Sequence, residues 1–174
     1  MDLDRIRREL QRFQKPPTQT ESPGGVGVVR FVARCPLGAE HVLRDAKTIH
    51  KLVLSNALGR WPEVLEWRQI LPPWFVDACP PPLTCEEAER QLQKWRDLSP
   101  QEQAETENEK EWSLEDWLYW MEPENRQWTW WDAQIVPGCD HILVAVEVDC
   151  WPFPWGALRW LFKASGASGL EPER

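Results

Sequence analysis

The sequence predicts an α+β fold: a small antiparallel sheet that includes a C-terminal hairpin and is packed with several short helices. A strand-like run at 28–34 precedes a helical period over 40–58, and two further strand-like runs, 127–136 and 141–149, flank a Pro-Gly turn. Strands that do not alternate regularly with helices are typical of α+β domains. Since 174 residues suffice for one core, we expect a single domain over 26–166.

Several helices follow from periodicity and capping signals. The period is clearest at 40–58, where Gly59 supplies a stop. Capping boxes at 84–87 and 99–102 predict two helix starts. The first of these helices is expected to face inward with Ala88, Leu92 and Trp95. Residues 101–111 are almost wholly polar, which predicts a solvent-exposed helix or a mobile segment. The order of strand, helix, hairpin and helix resembles part of a ferredoxin-like arrangement with a helical insertion.

The two ends of the chain are expected to lie outside this domain. Residues 1–17 predict an amphipathic N-terminal helix, because apolar residues recur there at 3,4,3 spacing on an otherwise basic segment: Leu3, Ile6, Leu10 and Phe13. Such a stripe fits a helix that packs on its own domain or on a second copy of the chain. Residues 167–174 are expected to form a flexible tail.

The hairpin register can be predicted from its turn. A turn centred between Gly138 and Cys139 pairs Trp131 with Val146 on an apolar core face. The opposite face then collects the five residues that we predict to form a binding surface: Trp128, Trp130, Asp132, Glu147 and Asp149. An indole beside carboxylates suits a lysine or arginine of a partner. The alternative is that a helix covers this face and makes both tryptophans core residues.

Composition and charge limit the classes of function that fit this sequence. The net charge is −8, and residues 86–124 hold 13 acids against four bases, a balance of −9. An acidic segment repels phosphate backbones, so we expect no nucleic-acid partner. No run approaches the roughly 18–20 apolar residues of a membrane helix, and the charged N-terminus lacks a signal-peptide core. We therefore expect a cytoplasmic protein with no membrane partner. The 13 tryptophans beside one tyrosine fit either core packing or recognition.

Motifs that carry chemistry are few. The five cysteines are odd in number and thinly spread, which favours reduced thiols over a disulfide framework. A zinc site would have to combine Cys79, Cys85, Cys139 and His141, whose spacing is irregular for such a site. The sequence contains no nucleophile elbow, phosphate-binding glycine loop or His-Glu-x-x-His motif. We predict no catalytic residue, no metal and no cofactor.

Three hypotheses of function follow. The leading one is a non-enzymatic protein-binding domain that docks onto a basic partner protein. Small inhibitors and immunity or antitoxin proteins share this profile by composition only. The first alternative is a small hydrolytic enzyme, a metal-dependent nuclease or a glycosidase, that uses Asp132, Glu147 and Asp149. The second is a self-associating structural subunit that forms a homodimer through the N-terminal helix.

Overall fold

The computed structural model describes residues 3–18 and 20–173, apart from the side chains at 104, 105 and 107–109. These residues form eight helices and four strands. In chain order the elements are α1 (Leu3–Arg12), β1 (Gly27–Arg34), α2 (Ala39–Ala57), α3 (Val64–Ile70), α4 (Pro73–Ala78), α5 (Cys85–Asp97), α6 (Pro100–Glu109), α7 (Leu114–Met121), β2 (Trp128–Ile135), β3 (His141–Val148), α8 (Gly156–Ala164) and β4 (Gly169–Pro172).

The four strands form one sheet in the order β2-β3-β1-β4, with every neighbouring pair antiparallel. This confirms the predicted α+β class. Strands and helices follow one another as β1, α2, β2, β3, α8 and β4, which is the element order of the ferredoxin-like arrangement. Helices α3 to α7 form an insertion between α2 and β2. None of the described helices is both long and apolar enough to cross a membrane.

The core lies between the sheet and the pair of helices α2 and α8, which pack on it and on each other. Strand β3 supplies alternate buried residues, Ile142, Val144, Val146 and Val148. This alternation matches the sequence pattern, because successive strand side chains point to opposite faces. Helix α2 buries its predicted apolar face in the same way.

The hairpin forms as predicted, but the predicted register is wrong over the first half of β2. Ala133 lies opposite Val144, as expected, whereas Trp130 rather than Trp131 lies opposite Val146. A β-bulge at Trp131 shifts the pairing by one residue. Because strand side chains alternate, this one extra residue turns the preceding half of β2 over and points Trp128 inward.

Helix α1 packs on its own chain. Its residue Ile6 is buried against Leu54 and Ala57 of α2, with Leu10 and Phe13 partly buried beside them. Helix α1 also lies along β2, the edge strand at one side of the sheet. The apolar stripe that suggested a homodimer is thus largely used within one chain.

The expected flexible tail is instead part of the sheet over most of its length. Strand β4 pairs with Phe31–Arg34 of β1, and Leu170 is buried in the core. The prediction of a flexible tail was wrong because a four-residue edge strand needs only one apolar side chain pointing inward. A single apolar residue gives no alternation from which a strand could be predicted. The flanking glycines and serines of β4 are typical of loops.

Helices α5 and α6 begin at the two predicted capping boxes. None of the 13 residues of α5, all of them described, is buried. The expectation that Ala88, Leu92 and Trp95 face inward is therefore wrong for Ala88 and Leu92, which are exposed, while Trp95 is half-buried. The helical period is present as predicted, but Ala88 and Leu92 are left open to solvent.

Candidate functional site

The two tryptophans of the predicted binding surface lie in the core. Trp128 is 1% exposed and Trp130 is 2% exposed. Their rings contact the imidazole of His50 edge-on, with centroid distances of 5.3 and 5.6 Å. Neither ring can reach a partner while the chain is folded. The alternative interpretation, that both are core residues, is the one that the structure supports.

The three carboxylates of that surface do not converge. The Oδ2 atom of Asp149 accepts a hydrogen bond from Arg5 Nη1 at 2.5 Å. The Oε1 atom of Glu147 accepts from the Gly24 amide at 3.1 Å. Asp132 lies after the bulge and accepts from its neighbour Gln134 at 2.7 Å. Each carboxylate thus forms a separate local hydrogen bond, to Arg5, Gly24 or Gln134.

A cluster that sequence reasoning missed lies between α1 and the sheet. We call Glu9, His50 and Arg126 the buried ionic cluster, because each is less than 5% exposed. Arg126 donates from Nη1 and Nη2 to the two oxygens of Glu9, at 2.9 and 2.6 Å. The amide of Trp130 donates to Glu9 Oε1 at 2.7 Å. Glu9 follows Ile6 by three residues and therefore lies on the same side of α1 as the apolar stripe. This position was the sequence signal that could have indicated a buried acid.

The protonation state of the cluster follows from its hydrogen bonds. Arg126 Nη1 lies 2.6 Å from His50 Nε2, and a guanidinium can only donate, so Nε2 accepts and the imidazole is neutral. Burial lowers the pKa of His50, and Arg126 lowers it further, against the opposing effect of Glu9. For Glu9, burial raises the pKa, but the Arg126 guanidinium and the hydrogen bond from the Trp130 amide outweigh it and lower the pKa below 4.5. Glu9 is therefore ionised.

This cluster holds α1 against the sheet. Its three members are buried beneath α1 and the aromatic rings of Phe13, Trp128 and Trp130. Strand β2 is an edge strand, and edge strands expose amides that can pair with other chains. By accepting the Trp130 amide, Glu9 satisfies one such group. The arrangement closes this side of the sheet.

Acid is expected to destabilise the protein through His50. Because the folded pKa of His50 is below 6.5, the unfolded chain binds more protons as the pH falls through that range. The free energy of unfolding should therefore decrease below about pH 6.5, and the lowered pKa of Glu9 should extend the decrease below pH 4.5. Urea denaturation of the wild type and His50→Gln between pH 8 and pH 5 measures this contribution.

The His50→Gln variant should show a flatter dependence on pH than the wild type. The matched control is His41→Gln, because His41 lies on the same helix but is exposed, so its replacement removes an imidazole without touching the buried ionic cluster. Equal slopes for the wild type and His50→Gln would contradict the assignment of the acid sensitivity to this buried imidazole.

Two of the five cysteines, Cys35 and Cys79, are at least partly buried. All five are free thiols. Burial raises the pKa of Cys35 to about 11, with Asp140 adding to the effect, and burial also raises the pKa of Cys79. A thiol with a raised pKa is a poor nucleophile at neutral pH. Within the described part of the chain, no three His, Cys, Asp or Glu side chains are grouped so that they could hold a metal ion.

Comparisons with protein-family models, curated proteins and solved structures give no match. The choice between functions therefore depends on which surfaces of the fold are open.

One open surface is the acidic arm, by which we mean α5 and α6 with the capping residue Thr84. Gln103 Nε2 of α6 donates to the Trp95 carbonyl at 3.0 Å and ties the two helices together. One face of α5 carries Cys85, Ala88 and Leu92 at helical spacing, and all three are exposed. Residues 84–109, which form the arm, hold eight acids against three bases, a balance of −5, and most of them lie within the segment 86–124.

Proposed function

We propose that this protein is a non-enzymatic protein-binding domain that docks onto a basic partner protein through the acidic arm. The observation that carries the proposal is the exposure of apolar residues on one face of α5: Leu92 is 48% exposed at its centre. An amphipathic helix normally buries such a face. A helix that leaves it open within an acidic segment offers a partner both an apolar contact and a complementary charge.

The charge of the arm favours a basic partner. Its field extends about one Debye length, roughly 8–10 Å at ordinary ionic strength. Such a field accelerates encounter with a positively charged surface more than it sets affinity. The exposed leucine would supply the apolar contact, since interface cores are poorer in charge than their rims. We keep a cytoplasmic location as part of this proposal.

The arm replaces the hairpin face as the proposed contact surface. Trp128 and Trp130 are core residues, and the carboxylates of Asp132, Glu147 and Asp149 are held by separate neighbours. A homodimer through α1 would need a stripe that is already largely packed against α2.

Replacing Leu92 with serine is expected to weaken binding of the partner by about 1 kcal/mol or more, roughly fivefold in Kd, if Leu92 is central to the contact. The measurement is capture from a cytosolic lysate on the immobilised chain, identification by mass spectrometry, and surface plasmon resonance with the purified partner. The captured protein should be basic, and its association rate should fall as salt rises from 50 to 300 mM.

The matched control is Leu65→Ser, because Leu65 is another exposed leucine on a different helix, α3. It should bind the partner like the wild type. An acidic partner, an association rate that salt does not change, or equal losses for Leu92→Ser and Leu65→Ser would each exclude the arm as the docking surface.

A further inference from the structure

A second acidic feature is a cleft at the C-terminal end of α2. It lies between α1, α2 and the segment that follows α7. The cleft has a volume of about 270 Å³. Its apolar part includes Leu3 and Ile6 of α1 together with Trp61, and its polar part includes Glu122 and Glu124. Small-molecule sites usually have volumes of roughly 300–1,000 Å³. The cleft is therefore sized for one long side chain.

The negative charge of this cleft has two sources, and the first is the carboxylates of Glu122 and Glu124. Glu122 accepts one hydrogen bond from Asn125 at 3.3 Å, and neither Glu122 nor Glu124 forms an ion pair with a described residue. The nearby Arg60 is held by Glu66, at 2.7 and 2.8 Å. The carboxylates thus face the cleft without a cation of their own.

The second source is the end of two helices. Helix α2 ends at Ala57 and helix α7 ends at Met121, and the residues that follow, Gly59 and Glu122, line the cleft. Helix C-termini carry a partial negative charge that basic residues usually offset. Neither α2 nor α7 has a basic residue in its last turn. Both helix ends therefore favour a cation supplied from outside.

We propose that this cleft binds the side chain of a lysine or arginine on the partner protein. The aliphatic stem packs on Leu3, which is 45% exposed, and on Trp61, whose indole also attracts a cation. The charged group lies between Glu122 and Glu124, where it forms charge-assisted hydrogen bonds. This inference rests on the proposed basic partner and adds a specific contact for one of its side chains, on a surface separate from the acidic arm.

The test uses small probes and needs no partner. Nα-acetyl-lysine N-methylamide and the corresponding arginine amide are titrated into the ¹⁵N-labelled full chain, and the indole N–H signal of Trp61, assigned with Trp61→Phe, is followed by NMR. At least one probe should shift this signal saturably. The neutral norleucine amide, which has the stem without the charge, should shift it much less. The double variant Glu122→Gln/Glu124→Gln should weaken binding of the probe by about fivefold or more.

The control Glu115→Gln/Asp116→Gln makes the same charge change at the exposed start of α7 and should leave probe binding as in the wild type. The proposal is overturned if neither probe gives a saturable shift, if norleucine amide acts equally, or if both double variants weaken binding alike. Because the probes need not contact α5, failure of Leu92→Ser to weaken partner binding would refute the acidic arm alone. Failure of the probes would refute the cleft alone.

Discussion

Replacing Glu9 with glutamine is expected to lower the free energy of unfolding by about 3–5 kcal/mol. The carboxylate forms two hydrogen bonds with Arg126 and one with the Trp130 amide, and both charged residues are fully buried. Removing one partner of a buried ion pair leaves the other charge desolvated without compensation, which is the source of the large cost. Urea denaturation at pH 7.5, monitored by tryptophan fluorescence, measures the change.

The matched control is Arg7→Gln, which breaks the exposed pair between Arg7 and Asp4 on the same helix. Exposed pairs contribute less than about 1 kcal/mol, so this variant should unfold nearly as the wild type does. The double variant Glu9→Met/Arg126→Met should recover part of the loss, since no charge then remains buried alone. A Glu9→Gln effect as small as that of Arg7→Gln would mean that α1 does not rest on the sheet through this cluster.

The sequence predicted those parts of the fold that depend on local patterns. The face of α2, the alternation of β3 and the two capping boxes all follow from side-chain periodicity or from contacts within four residues. The bulge at Trp131 does not follow from a local pattern. It accompanies the burial of Trp128 and Trp130, which depends on packing against α2 and α8 and not on the strand alone.

The buried ionic cluster was beyond the reach of local reasoning for a related reason. Glu9 and Arg126 are separated by more than 100 positions in the sequence, and a single acid in a basic helix is normally solvated. The placing of five residues on one face of the hairpin was wrong for the same reason as the register, since it assumed a strand without a bulge. The acidic arm was visible as a charge run, but that α5 has no buried residue could be seen only in the structure.

Replacing Trp130 with alanine is expected to lower the free energy of unfolding by about 3–5 kcal/mol, the usual range for removing a buried aromatic side chain. The Trp130 ring is stacked on Phe162 of α8 at a centroid distance of 6.1 Å and lies 5.2 Å from Phe13 beyond α1. It therefore joins three elements, and the cavity that alanine leaves would be bordered by rigid rings that cannot easily move to fill it. Thermal melting and urea denaturation measure the loss.

The matched control for this substitution is Trp151→Ala, because Trp151 is 63% exposed and surface replacements usually change stability by less than about 0.5 kcal/mol. The comparison also decides between the two interpretations of the hairpin tryptophans. If Trp130 contacted a partner, Trp130→Ala would weaken binding while leaving the melting temperature close to that of the wild type. As a core residue, it should lower the melting temperature strongly, and any loss of binding should follow only from the unfolded fraction. A stable Trp130→Ala protein that binds its partner poorly would restore the hairpin face as the binding surface, at the expense of the acidic arm.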